Sequence, residues 1–178
     1  NTDVVIIGVG IKPNIELAKS SGLTCDNGIL VDANGQTSDP HIFAVGDCSN
    51  HPNNIFKQRL RLESVQNAVE QAKSIAAGIA GNQKPYQEVP WFWSDQYNIK
   101  LQIAGISQHH DRRVIRGYPK EEKFAVFYLK ENRLIAIDAI NSPREFMAGK
   151  KLIETLSEVP FELISNMDVD LKEIVGQL

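Results

Sequence analysis

A change of pattern at Asn82-Gln83-Lys84-Pro85-Tyr86 constrains the fold of this chain more than any other feature. Before it, short β-branched runs alternate with helical segments; after it, strand patterns come first and helical ones last. Alternating elements build an α/β layer, whereas segregated ones build a separate α+β unit. Two units meeting at this polar stretch are therefore predicted. At 178 residues, 42% of them hydrophobic and 23% charged, the chain is long enough for two small cores. A net charge of -3 and a pI near 5.8 give no overall basic field to favour nucleic acid or a membrane surface.

Within the first unit, the run Val4 to Val9 is unbroken enough for a strand buried on both faces of a parallel sheet. Gly8 and Gly10 follow, but Pro13 stands where a dinucleotide fingerprint needs its third glycine, so no complete phosphate loop is expected here. Glu16 to Lys19 reads as a helical turn closed by Gly22. Asn27-Gly28 and Asn34-Gly35 mark tight turns on either side of a strand at Ile29-Leu30-Val31. Ile42 to Val45 reads as a second buried strand that ends at Gly46 and presents Asp47 at its tip. The stretch CSNHPNNIFKQRLR is too rich in Asn, Pro and Ser to be read as core. Ser64 is set to cap a helix with Val65, Ala68, Val69, Ala72, Ile75, Ala76 and Ile79 on one face, stopping at Gly81-Asn82.

In the second unit, strands are expected at Lys100 to Ile106, Arg113 to Gly117, Lys123 to Leu129 and Leu134 to Ile140. The last two flank a hairpin turn at Glu131-Asn132, where Asn tolerates a left-handed backbone. Ser142-Pro143-Arg144-Glu145 has the form of a capping box, starting a helix whose Phe146, Ile153 and Leu156 face the core. Cys25 and Cys48 are the only cysteines and read as plain thiols. His109-His110-Asp111-Arg112-Arg113 reads as a solvated turn, so no metal ligand is assigned. No apolar run is long enough to span a bilayer and no signal pattern opens the chain, which favours a cytoplasmic protein. The start at Asn1-Thr2-Asp3, without Met and directly into a strand pattern, suggests a piece of something longer.

Thr37, Ala44, Gly46 and Asp47 form T-x6-A-x-G-D, which resembles the second FAD-binding motif of flavin-dependent pyridine-nucleotide oxidoreductases. RLESVQNA follows at residues 61 to 68, then VPWFWSDQYNIKLQIAG from Val89 and FYLKENRLIAIDAINSPREFM from Phe127. With GVGIKPN and DNGILVD upstream, the series is similar, in order and over nearly the whole chain, to the flavoprotein ferredoxin and rubredoxin reductases of bacterial oxygenase systems. Departures are small: Glu131-Asn132 replaces the commoner Asp-Gly turn, and Val45 stands where Ala is frequent.

The resemblance implies an α/β remnant of an FAD-binding domain followed by an α+β C-terminal reductase domain with antiparallel strands and then helices. Residues 1–84 would be the end of an NAD domain and the closing, incomplete segment of the FAD domain; residues 85–178 would be the C-terminal domain. The parent enzyme would take hydride from NADH onto FAD and pass electrons to a ferredoxin or rubredoxin. Gly46 and Asp47 would hold the ribityl chain, a carboxylate being a pure acceptor suited to a polyol. Ser64 and Val65 would bring a helix N-terminus to the flavin edge, where its N–H groups and positive dipole end favour the charge of the reduced ring. Trp93, and less directly Trp91, would lie near the isoalloxazine. Arg59 and Arg61, with Lys57 behind them, are the expected docking cations for an acidic ferredoxin, with pairing of either arginine to Glu63 as the alternative. No residue of the chain is assigned a catalytic role. Related readings are a monodehydroascorbate-reductase or apoptosis-inducing-factor type flavoprotein, and a non-catalytic module for homodimerisation or docking. The absence of both glycine-rich phosphate loops would make FAD retention weak.

Overall fold

The computed structural model describes residues 1–176. Its N-terminal part departs from expectation at once. Residues 1–15 form no strand, and Val4, Val5, Ile6, Ile7 and Val9 are exposed. A strand needs a neighbour to complete its ladder, and none of the described residues supplies one. Helix α1 (Glu16–Ser20) and strand β1 (Ile29–Leu30) form where the turn residues predict them.

The run Ile42 to Val45 is not the buried strand that was expected. Phe43 makes one isolated bridge to Gln36, only Ala44 is buried, and Gly46–Cys48 closes as a 3-10 turn. The neighbouring "loop" is instead the buried part: β2 (Ser49–Asn53) pairs parallel with β1 and antiparallel with β3 (Gln58–Leu60). Ser49, Asn50, His51 and Asn53 are all buried in it. Asn is tolerated there because its amide closes backbone groups that the short ladders leave open. Asn50 Nδ2 donates to the Asp26 carbonyl at 2.8 Å, and Asn53 Oδ1 accepts from the Ile55 and Phe56 amides at 3.0 and 3.2 Å.

Helix α2 (Val65–Ile79) starts at Ser64 as expected, with the Ser64 hydroxyl accepting from the Asn67 amide. The face it buries is not the apolar one. Gln66, Asn67, Gln71 and Ile75 are buried, whereas Val65, Val69 and Ile79 are exposed. Ile75 explains one glycine: a Cβ on Gly35, which has φ +74°, would lie 1.9 Å from Ile75 Cδ1.

Beyond Tyr86 the chain builds a five-stranded antiparallel sheet from β4 (Trp91–Gln96), β5 (Ile99–Gly105), β6 (Arg112–Tyr118), β7 (Lys123–Lys130) and β8 (Arg133–Ile140). The strand order is β4-β5-β8-β7-β6. Strand β4 was not foreseen. The hairpin between β7 and β8 turns at Glu131 (φ 50°) and Asn132 (φ 61°), both left-handed as a two-residue hairpin loop requires. Helix α3 (Pro143–Thr155) packs on β8 and β5, and Phe127, Leu129, Ile137, Leu152 and Ile153 form the centre of the core. Gly149 permits this approach, since a Cβ there would lie 2.7 Å from Ile137 Cδ1.

Two local expectations for α3 fail. Ser142 makes no capping bond; its hydroxyl donates back to the Ile140 carbonyl at 2.9 Å, and Pro143 alone marks the start. Leu156 does not face the core: it follows the last helical residue in a left-handed conformation and is exposed. Helices α4 (Phe161–Ser165) and α5 (Leu171–Gly176) complete the described chain. No described helix is long and apolar enough to cross a membrane.

Candidate functional site

The Asp47 turn is held from two sides. Gly46 adopts φ +74°, and a Cβ on it would lie 3.3 Å from Ala68 Cβ, so the turn rests directly on α2. From the other side, Arg61 Nη1 donates to the Asp47 carbonyl at 3.1 Å. The Asp47 side chain is left exposed, with no hydrogen bond or ion pair among the described residues. Its carboxylate is an acceptor on a backbone held from two sides, with no partner among the described residues.

Arg61 is largely withdrawn from solvent, whereas Arg59 stays exposed on β3. Arg61 is 11% exposed at its side chain; it pairs with Glu63 at 2.7 Å and donates to Asn27 Oδ1 at 3.1 Å. Gly28 makes room for it, since a Cβ there would lie 2.9 Å from Arg61 Cδ. Arg59 donates to Asn50 Oδ1, to the Asn50 carbonyl and, at 2.6 Å, to the Val31 carbonyl. Both guanidiniums thus brace backbone carbonyls that a planar fork can satisfy, Arg59 from an exposed position beside β1 and β2 and Arg61 from a largely buried one beside the Asp47 turn. Lys57, also exposed, has neither ion pair nor hydrogen bond among the described residues.

The helix N-terminus and the aromatic stretch meet. Val65, Gln66 and Val69 of α2 line a groove of about 300 Å³ together with Trp91 and Trp93, and its charged lining is Glu70, Glu88 and Lys150. Trp93 is 45% exposed although its neighbour Trp91 packs at a tilt against both it and Phe146, at centroid distances of 5.4 and 5.9 Å. Val65 is 63% exposed. At the start of α2 the Ser64 hydroxyl takes the Asn67 amide, and the Val65 and Gln66 amides have no acceptor among the described residues. Free N–H groups at the positive end of a 15-residue helix, beside an exposed flat indole, suit a planar ligand with acceptors along one edge. Gly46 and Asp47 do not line this groove. They abut α2 at Ala68, in the turn that follows Val65.

The polar layer beneath α2 was missed in the sequence. Tyr86 donates to Asn67 Oδ1 at 3.2 Å, Asn67 Nδ2 donates to the Leu62 carbonyl at 3.2 Å, and Gln71 Oε1 accepts from the Gly46 amide at 2.7 Å. The available signal was the spacing of Asn67 and Gln71, four residues apart and in line with Ile75. His51 closes the layer, its ring edge-on to Tyr86 with 5.2 Å between centroids and neither nitrogen bonded. Burial, with a smaller contribution from the Arg59 charge, lowers its pKa to about 4. Burial likewise pushes Tyr86 up to about 12. In the 109–113 run, Asp111 accepts from the Glu131 amide at 2.8 Å and His110 packs edge-on to Tyr128.

Two family models match the chain: the pyridine nucleotide-disulphide oxidoreductase model over residues 1–72 and the reductase C-terminal model over residues 91–175. The chain belongs to the pyridine nucleotide-disulphide oxidoreductases, and its relatives in that family include ferredoxin and rubredoxin reductases. Among curated reductases of this family, putidaredoxin reductase CamA of Pseudomonas putida is 44% identical over 174 residues, 98% of this chain and 41% of that protein. Among solved structures, the ferredoxin reductase for the CYP199A2 system of Rhodopseudomonas palustris superposes with a TM-score of 0.93 at 42% identity, covering 97% of this chain and 43% of that one. The covalent putidaredoxin reductase–putidaredoxin complex gives the same TM-score at 44% identity, covering 98% of this chain and 42% of that one. The chain thus spans about two-fifths of the length of these reductases.

Proposed function

We propose that the chain carries the flavin-edge and C-terminal part of an NAD(P)H-dependent, FAD-containing reductase that supplies electrons to a ferredoxin or rubredoxin in the cytoplasm. In this reading residues 1–84 close the nucleotide-binding part and residues 85–178 form the reductase C-terminal domain, in keeping with the two family-model ranges. The observation that carries it is the pair of unbonded amides, Val65 and Gln66, on residues that line one groove with Trp93.

The residues fit the cofactor. FAD, when bound, accepts hydride from the nicotinamide and releases electrons singly to the partner. The Val65 and Gln66 amides would donate to acceptors on the ring edge and, with the helix dipole, favour negative charge there. Trp93 would cover the ring and keep water from it. Asp47 would accept from hydroxyls of the ribityl chain, and Ser64 would hold the helix end in register. Arg61 would serve by fixing the Asp47 carbonyl, which leaves the exposed Lys57 and Arg59 as the docking cations of this stretch.

Exchanging the 178 residues for the matching 41% of Pseudomonas putida CamA tests the reading. The chimera should purify yellow with stoichiometric FAD and reduce putidaredoxin with NADH. Asp47→Ala and Trp93→Ala should each weaken FAD retention. A folded but colourless chimera would overturn the proposal and leave the docking-module reading.

A further inference from the structure

We infer that Gln71 is a positioning residue that straps the Asp47 turn to helix α2, so that the carboxylate and the helix N-terminus keep one fixed relation. The inference rests on the flavin reading, because it matters only if both groups serve one ligand.

Three observations carry it. Gln71 is 1% exposed, and its Oε1 lies 2.7 Å from the Gly46 amide and 2.8 Å from the Ser49 hydroxyl. It therefore holds the Gly46 end of the 3-10 turn that displays Asp47, while Ser49, just after the turn, shares its one proton between Gln71 Oε1 and the Gly46 carbonyl at 2.9 Å. The amide orientation is fixed, since the Gly46 N–H can only donate and only the oxygen of Gln71 can receive it. Consequently Gln71 Nε2 is left buried without an acceptor. A Leu or Met would fill this space and spare the unbonded Nε2, but would leave the buried Gly46 amide without its acceptor, so the glutamine is accounted for by the turn it holds and not by packing alone.

The helix transmits the constraint. Asn67, one turn before Gln71, is itself bonded to the Leu62 carbonyl and to Tyr86, and its amide is the one capped by Ser64. Asn67 thus fastens the end that presents Val65, while Gln71 fastens the turn that presents Asp47. A helix is stiff over so short a distance, roughly 1.5 Å per residue, so the two ligand-facing groups move as one body.

Amide exchange and FAD titration of Gln71→Met and Gln71→Glu separate the possibilities. Methionine removes the acceptor at similar length, whereas glutamate keeps it. Gln71→Met should speed exchange of the Gly46 amide about tenfold, with the α2 amides unchanged, and should raise the FAD dissociation constant about tenfold. Gln71→Glu should restore Gly46 protection. Faster Gly46 exchange with unchanged FAD affinity would make Gln71 merely structural and overturn the inference. If the wild type binds no FAD, the flavin reading fails by itself; unchanged Gly46 exchange in Gln71→Met would then also overturn the strap, and faster exchange would support it.

Discussion

The Arg116 guanidinium donates to the Val169 carbonyl at 2.8 Å, across fifty-three residues of sequence. The same group donates to the Ile164 carbonyl at 2.8 Å and the Asn166 carbonyl at 2.6 Å. One planar cation on β6 thus pins the segment between α4 and α5. Burial lowers the Arg116 pKa, while Glu145 and Asp170 oppose that shift. Arg116→Met should cost about 3 kcal/mol, because three carbonyls lose a charged donor. Arg116→Lys should not recover it, since one ammonium cannot span three carbonyls in a plane. Urea denaturation measures the cost, and limited proteolysis should now cut within residues 166–170.

Gly105 and Gly149 should respond unequally to alanine. A Cβ on Gly105 would lie 2.1 Å from the Ile135 carbonyl oxygen, with φ at +79°. Backbone blocks it on both counts, so Gly105→Ala should cost more than about 3 kcal/mol. Gly149 is helical and meets only side-chain atoms of Ile137, from Cδ1 at 2.7 Å to Cβ at 3.3 Å, and no backbone. Its alanine variant should cost about 1–2 kcal/mol through overpacking. Equal midpoints in a denaturant series would contradict this ordering.

His51 should make the protein acid-sensitive. Its folded pKa of about 4 lies below the ordinary 6.5, so between those values the unfolded chain binds a proton that the folded one does not. Stability therefore falls as pH drops through that window. Thermal melts at pH 7.5 and 5 should show a smaller drop for His51→Gln than for the wild type.

Ser64→Ala removes the acceptor for the Asn67 amide. A loss of about 1 kcal/mol in stability is expected, as for other lost N-caps. The flavin reading adds that FAD affinity should fall as well, because the helix end that bears Val65 frays. Fluorescence titration of FAD against both proteins measures this.

What the sequence disclosed depended on whether a residue's neighbours in sequence are also its neighbours in space. Strands β5 to β8 and the Glu131-Asn132 turn were legible, because alternation and turn chemistry act locally. Ser64, Val65 and Trp93 were placed from motif order, and the fold brings Val65 and Trp93 to one groove. The buried face of α2 was not legible from hydrophobicity, because Asn67 and Gln71 answer backbone groups at Leu62 and Gly46 that only the tertiary fold brings near. The same holds for Arg59 and Arg61. Arginines in a polar stretch look like free surface charge until the carbonyls they satisfy are seen.

The strand order β4-β5-β8-β7-β6 divides the sheet for folding. β4–β5 is one hairpin and β6–β7–β8 a meander, each joined by sequence neighbours. They meet only along β5–β8, where Ala104 faces Ile137. That single non-local seam carries the loop-closure entropy and should form in the slow step. Refolding should accordingly be slowed more by Ile137→Val than by an equally costly substitution of Val114 on β6.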